Sequence, residues 1–348
     1  MKKLTYIAGP CAAESEQQVL ETARALVATG DIIFRAGVWK PRTRPDTFQG
    51  VGDEGLLWLS RVKKELHVPV ATEVVTAEQV TKALEAGIDY LWIGARTCAN
   101  PVAVATIADA IRIQNTEYRV QNNSVCALSA ERSVLGQPKA VFIKNPVNAD
   151  TALWLGNIER LEATGVPVTA VHRGCSHQPY WEMAHQVRVA RPDIPMLLDP
   201  SHMSGDAELV PSLSRVSAEL EYDGLMVEVH PHPEQALSDA QQQITPAVFA
   251  DIRRAPVETY STPLELRWLR KMIDEVDDRL WNDIAQRMAV SQRIGKFKKT
   301  HQMEVVQPTR FNEIMTKRLA WAENHGLSKE AVQAILETIH QESIRVQH

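Results

Sequence analysis

Two short apolar runs in the chain are each followed at once by ligand-type side chains. Met196–Leu198 delivers Asp199, Ser201 and His202. Leu225–Val227 delivers Glu228, His230 and His232, with Ser238 and Asp239 in the next loop. An imidazole and two carboxylates that converge at strand ends suit a divalent metal. Either His202 or Glu228 alone reads equally well as a polar strand end facing solvent. Other apolar runs end on cations: Arg35, with Lys40 and Arg42 just beyond it, then Arg96, Lys144 and Arg173. A solvated surface would mix signs. Six basic groups at one mouth beside a metal site argue for an anionic substrate with several phosphate or carboxylate groups. Arginine suits a bidentate grip on such anions, and lysine supplies a point charge.

These residues share a mouth only if the runs that carry them are parallel strands. Strand-like runs fall at Leu4–Ala8, Ile32–Arg35, Val68–Thr72, Tyr90–Ile93, Ala140–Ile143, Val168–Val171, Met196–Leu198 and Leu225–Val227. Between most of them lie segments with apolar residues at three- and four-residue spacing, such as Val19–Leu26, Leu56–Leu66 and Val80–Ala86. Eight strand–helix units in roughly 250 residues predict a (β/α)8 barrel over 1–254. A doubly wound open sheet is the alternative, since pattern alone does not show closure. A barrel has its active site at the C-terminal ends of its strands, where all the residues above stand. Ile113–Pro138 reads as an overlong connection before the fifth strand.

The chain has 348 residues, enough for two domains or one large barrel with an appendage. A net charge of −5 gives no reason to expect nucleic acid or an anionic membrane as partner. No run approaches the ~18 apolar residues of a membrane span. The start, MKKLTYIAGPC, has too short an apolar stretch for a signal peptide and reads as a strand. Cys11, Cys98, Cys126 and Cys175 are widely spread, without CxxC spacing, which predicts a reducing, cytoplasmic setting and no disulfides.

IAGPC, RAGVWKPRT…FQG, IGAR, IKN, HRG, LDPSH, VEVH and ALSDAQQ together resemble the motif series of type I-beta 3-deoxy-D-arabino-heptulosonate 7-phosphate (DAHP) synthases. The resemblance covers about residues 4–245. It implies condensation of phosphoenolpyruvate with erythrose 4-phosphate at a metal held by Cys11, His202, Glu228 and Asp239. Such donors suit Mn, Fe, Co or Zn over Mg or Ca, and no organic cofactor is implied. Taken alone, Cys11 would read as a small buried hydrophobe. By the same resemblance, Ala95, Arg96, Lys144 and Arg173 surround the phosphate of phosphoenolpyruvate. Arg35 and Lys40 hold its carboxylate, Arg42 and Thr43 hold the sugar phosphate, and Lys40 and Glu73 are candidates for proton handling. The related 3-deoxy-D-manno-octulosonate 8-phosphate synthases lack KPRT, which favours erythrose 4-phosphate. Many type I-beta members carry ERG and LKRG where this chain has HRGCS and IKNP.

Beyond residue 254 the alternation stops. Residues 255–262 read as a linker, since 255–263 hold two prolines and two threonines. An all-helical domain over 263–348 follows, with helices predicted to about Lys299, then about Thr309–Asn324 and Ser328–Val346. In the first, Leu266, Leu269, Ile273, Val276, Leu280, Ile284 and Met288 recur at three and four residues. A lone helix cannot bury that stripe, so periodicity alone predicts a dimerising module without a ligand. LRWLRKMID…QRM…IGKFK…QPTRFNEI…HQESIRVQ resembles the all-helical chorismate mutases, which are cofactor-free. The resemblance implies that Arg270 and Arg287 clamp the two carboxylates of chorismate, and that Lys298 and Gln347 bond its ether oxygen. Ser343 falls on a further binding position. Gln307 and Phe311 stand where some members have an Asp and a Glu, with Arg310 as a neighbour that could compensate. Arg287 and Lys298 lie roughly 16 Å apart on one face, whereas Arg270 is about 25 Å from Arg287 on another. A second protomer would therefore supply Arg270, giving at least a homodimer through these helices. Prephenate, bound in the helical domain, is the expected inhibitor of the barrel.

Overall fold

A computed structural model describes residues 4–41, 46–123, 136–255 and 261–347, the side chains of 115–123 excepted. Strands β1 (Thr5–Gly9), β2 (Ile33–Arg35), β3 (Val70–Glu73), β4 (Tyr90–Ile93), β5 (Ala140–Lys144), β6 (Val168–His172), β7 (Met196–Leu198) and β8 (Gly224–Glu228) pair in parallel in chain order. They close into a barrel through β1 and β8, in the register Ile7 to Met226 and Gly9 to Glu228. The strands are largely buried on both faces, which is why their sequences are apolar runs and not alternations.

Inside the barrel, Ile7, Ala71, Trp92, Phe142, Val171, Leu197 and Met226 form a core of their own, with Ile33 against it. Side chains two residues apart share a strand face. The next inward positions are therefore Gly9, Arg35, Glu73, Gly94, Lys144, Arg173, Asp199 and Glu228. An apolar plug is thus topped by a charged layer at the C-terminal end.

The surrounding helices are α1 (Glu16–Val27), α2 (Asp53–Leu66), α3 (Ala77–Glu85), α4 (Ala95–Cys98), α5 (Pro101–Asn123), α6 (Thr151–Glu162), α7 (Trp181–Ala190), α8 (Pro200–Ser204), α9 (Val210–Glu219) and α10 (Pro246–Arg254). Ser15, Thr76, Asp150 and Thr245 cap α1, α3, α6 and α10 by accepting the backbone N–H three residues on. One expectation needs correction. The connection read from Ile113 onwards is helical as far as Asn123. Val104, Ile107 and Ile111 set its buried face, and no Gly or Pro interrupts the chain between 101 and 136. Residues 124–135 lie outside the described residues.

The chain divides into two compact units, Met1–Met272 and Ile273–His348. Helix α11 (Leu264–Thr300) begins in the first unit and continues into the second, followed by α12 (Pro308–Glu323) and α13 (Lys329–Arg345). Ser328 caps α13 by accepting from the Ala331 N–H. Gly295 lets the chain just beyond α13 approach closely, since a Cβ there would stand 2.6 Å from the Gln347 carbonyl oxygen. Phe311 of α12 stacks on His340 of α13, with ring centroids 3.9 Å apart. Among the described residues no helix is long and apolar enough to cross a membrane.

Candidate functional site

Glu228 closes β8, and Cys11 and Asp239 stand in loops beside it. Ligand atoms of these three lie within 4.8 Å of one another. The Cys11 thiol donates to Asp239 Oδ2 at 2.9 Å. His202, in α8, turns its Nε2 to within 3.6 Å of Glu228 Oε1. Its Nδ1 lies 2.9 Å from Asp199 Oδ2, and Asp199 also caps α8 by accepting the His202 backbone N–H. A carboxylate behind an imidazole is how a metal-binding histidine is commonly oriented. Glu228 is held by Arg35 Nη2 at 3.1 Å and by Gln242 Nε2 at 2.7 Å. His230 and His232 pair instead with Glu14 and Glu21.

Burial would raise the Glu228 carboxyl, but His202, Arg35 and Lys40 outweigh it and hold the group below the ordinary carboxylate range. In the same way His202 and Lys144 overcome burial and keep Asp199 well below that range. Cys11 moves the other way. Burial and then the negative charge of Glu228, with a smaller push from Asp239, drive its thiol up. A thiolate here needs a cation in the cluster. Thiolate, imidazole and carboxylate are the donors that a borderline divalent ion accepts, and binding it would expel the thiol proton. The residues present fit such an ion.

A cleft of about 570 Å³ opens over this cluster. Arg35, Lys40, Ala95, Arg96, Lys144 and Arg173 all line it, with Glu73 in its wall. Lys40 Nζ donates to the Cys11 carbonyl at 2.8 Å and lies 3.9 Å from Glu73 Oε2. Burial works against its charge, yet Cys11, Glu73 and Glu228 prevail and raise its pKa. Lys144 Nζ bonds Asp199 Oδ2 at 2.7 Å. Gly94 makes room for Glu73, because a Cβ at that position would stand 2.0 Å from Glu73 Oε1. Arg42 and Thr43 lie outside the described residues.

In the helical unit, Arg287 Nη1 donates to Ser343 Oγ and, at 3.5 Å, to the Ile339 carbonyl. Gln347 Nε2 donates to the Ser343 carbonyl at 3.0 Å, and Lys298 Nζ to the Val305 carbonyl at 2.6 Å. Arg287, Ser343 and Gln347 are thus brought together. Arg310 is exposed and paired with Glu313 in its own helix. Arg270 is exposed on the part of α11 that belongs to the first unit.

Several supporting roles show only in the folded chain. Asp199 orients His202, Gln242 holds Glu228, and Gln243 accepts the Cys11 N–H at 3.0 Å. Asp199 precedes Pro200 at a helix start, a capping signal visible in sequence. The run of three glutamines, Gln241, Gln242 and Gln243, just past Asp239 is a weaker hint. His340 shares the neighbourhood of Arg287 and Lys298. Burial and then those two charges lower its pKa.

Comparison with known proteins adds the following. The model of the DAHP synthetase I family matches residues 2–116 and 128–262, and that of chorismate mutase type II matches 269–348. A phospho-2-dehydro-3-deoxyheptonate aldolase of Thermotoga maritima is 30% identical over 265 residues, covering 71% of this chain and 67% of that protein. A 2-dehydro-3-deoxyphosphooctonate aldolase of Trichlorobacter lovleyi is 29% identical over 249 residues, covering 69% and 86%. Among solved structures, a Thermotoga maritima phospho-2-dehydro-3-deoxyheptonate aldolase superposes with a TM-score of 0.59 at 28% identity, covering 72% of this chain and 67% of that one. A truncated 3-deoxy-D-arabino-heptulosonate 7-phosphate synthase from the same organism gives 0.56 at 25% identity, covering 72% and 84%.

Proposed function

The chain belongs to the DAHP synthetase I family, and from that premise we propose that its barrel condenses phosphoenolpyruvate with erythrose 4-phosphate to 3-deoxy-D-arabino-heptulosonate 7-phosphate. Its C-terminal helices, which match chorismate mutase type II, rearrange chorismate to prephenate. The chain is thus a transferase and an isomerase in one. The observation that carries the first activity is the layer of cations over the thiol, imidazole and carboxylate cluster at the barrel mouth.

In this reading Arg96, Lys144 and Arg173 hold the phosphate of phosphoenolpyruvate beside Ala95. Arg35 and Lys40 hold its carboxylate. Arg42 and Thr43 hold the phosphate of the sugar. Fixing two mutually repelling anions in one orientation removes much of the entropic barrier. A divalent ion of the Mn, Fe, Co or Zn type, held by Cys11, His202, Glu228 and Asp239, would supply Lewis acidity towards the sugar aldehyde. Lys40, kept protonated, and Glu73, 3.9 Å from it, are the two candidates for proton handling.

The mutase needs no cofactor, because its rearrangement is pericyclic. Arg287, braced by Ser343, grips one carboxylate of chorismate. Lys298 and Gln347 meet the negative charge that develops on the ether oxygen, and such preorganised charge is the main source of rate. A second copy of the chain supplies Arg270. The support for that copy is the stripe of Leu266, Leu269, Ile273, Val276 and Leu280, which stays exposed in a single chain. Prephenate inhibits the barrel from this site. Synthase activity equally sensitive to prephenate in R287A would refute that coupling. The test of the whole proposal is to supply the purified chain with phosphoenolpyruvate plus erythrose 4-phosphate, and separately with chorismate, and to identify the products by NMR.

A further inference from the structure

His172 and Arg173 are consecutive, so their side chains leave opposite faces of the strand line. Arg173 lines the cleft. His172 points outwards, fully buried between barrel and helices. Both of its ring nitrogens are engaged. The Pro179 carbonyl can only accept, so His172 Nε2 carries the proton and donates to it at 2.7 Å. His172 Nδ1 then accepts the Tyr222 hydroxyl at 2.8 Å. Burial depresses the imidazole to about 4, so this neutral form persists near neutral pH. The bond to Pro179 ties down the loop that starts at Arg173. Arg173 itself is fixed by its N–H on Asn145 Oδ1 at 2.7 Å. The His172 carbonyl also accepts the Asp199 N–H at 2.8 Å.

Tyr222 stacks on His172 and rests in turn on Trp268, 5.8 Å away between centroids. Trp268 also meets Trp181 and His185. It is 1% exposed, and its indole N–H has no acceptor among the described residues, so packing holds it in place. Trp268 stands after the end of the synthase family match and one residue before the mutase match. The first turns of α11 are nonetheless clamped to the barrel unit. Arg267 donates to the Glu219 carbonyl and pairs with Glu221 at 2.6 Å. Lys271 pairs with Glu219 at 3.2 Å, and Glu265 with His185 at 3.0 Å. Glu219 and Glu221 flank the turn that delivers Tyr222.

We infer that Trp268 is a positioning residue of the synthase site, acting through Tyr222 and His172 to set where Arg173 stands in the cleft. The start of the long helix, residues 264–268, therefore completes the barrel, although neither family match includes it. The inference rests on the assignment of Arg173 to the phosphate of phosphoenolpyruvate.

The test compares W268A, W268F and Y222F with the wild-type full chain, measuring KM and kcat for phosphoenolpyruvate together with Tm. W268A and Y222F are each expected to raise KM for phosphoenolpyruvate about tenfold, with a smaller change in kcat, as a displaced anion contact would. W268F, which keeps a ring against Tyr222, should bring KM back towards wild type. Y222F loses only a hydroxyl, so it decides the matter even if W268A fails to fold. A lower Tm with a wild-type KM for phosphoenolpyruvate in Y222F and folded W268A would make the cluster purely structural and overturn the inference alone. Wild-type protein that does not consume phosphoenolpyruvate would overturn the proposed reaction and this inference with it.

Discussion

The thiol of Cys11 and the carboxylate of Asp239 are 228 positions apart in sequence and 2.9 Å apart in the folded chain. Glu228 completes the group, and burial, then Glu228 and Asp239, push the thiol towards its protonated form. A cation that binds there must displace the proton. Chelation is therefore expected to abolish condensation, and Mn or Co to restore it. Calorimetry in buffers of different ionisation enthalpy should show about one proton released per ion bound. C11A should lose both metal and turnover while keeping its fold. Full activity in a chelated protein with no metal by elemental analysis would refute this role.

Gly94 gives a test of Glu73 that leaves the carboxylate intact. A Cβ at Gly94 would stand 2.0 Å from Glu73 Oε1, so G94A must shift that carboxylate from its place in the cleft wall. Condensation should fall about a hundredfold or more if Glu73 handles a proton. Conversion of chorismate by the same protein should be unchanged and serves as its control. Wild-type condensation by G94A would remove Glu73 from the chemistry.

In the helical unit, R287A and K298A are each expected to lower chorismate turnover by about 10²–10³. Steady-state rates check this, with condensation by the barrel as the reference. Wild-type protein that binds prephenate but leaves chorismate untouched would make the unit a ligand sensor instead of an enzyme.

His172 also gives the stability of the chain a pH signature. Its folded-state pKa, about 4, lies below the ordinary value of 6.5. Between those two values the unfolded chain takes up a proton that the folded chain refuses. The contribution is thus complete above pH about 6.5 and is lost as pH falls towards about 4, on the order of 3 kcal/mol in full. H172Q can still bond both Pro179 and Tyr222 but cannot titrate, so its denaturant midpoint should fall less than the wild-type one across that window. Parallel declines in the two proteins would contradict this assignment.

Much of the barrel was legible because strands buried on both faces must be apolar throughout, and each run from Leu4 to Val227 lies within a residue or two of an observed strand. Closure was not legible, since pairing of Ile7 with Met226 leaves no mark in local pattern. The charged layer could be read because most strand ends, β1 and β4 excepted, deliver a polar residue directly after the apolar run. Residues that act from behind this layer were harder. Gln242 and Gln243 are polar residues in a loop, and only the folded chain shows that they bond Glu228 and Cys11. The start of α11 shows a further limit. Helical periodicity reveals which face is apolar but not which body each turn packs on, and Trp268 packs within the barrel unit.

The choice of acceptor sugar bears most directly on the central claim. The chain matches the DAHP synthetase I family, yet relatives named as octulosonate aldolases stand close behind at 29% identity. The decisive measurement is kcat/KM for erythrose 4-phosphate and for arabinose 5-phosphate, each with phosphoenolpyruvate in excess, followed by phosphate release and product mass. The expected result is a preference for erythrose 4-phosphate of at least about a hundredfold, of the size that a site built around one substrate's polar groups can impose. A preference for arabinose 5-phosphate would contradict the account and make the barrel an octulosonate phosphate synthase.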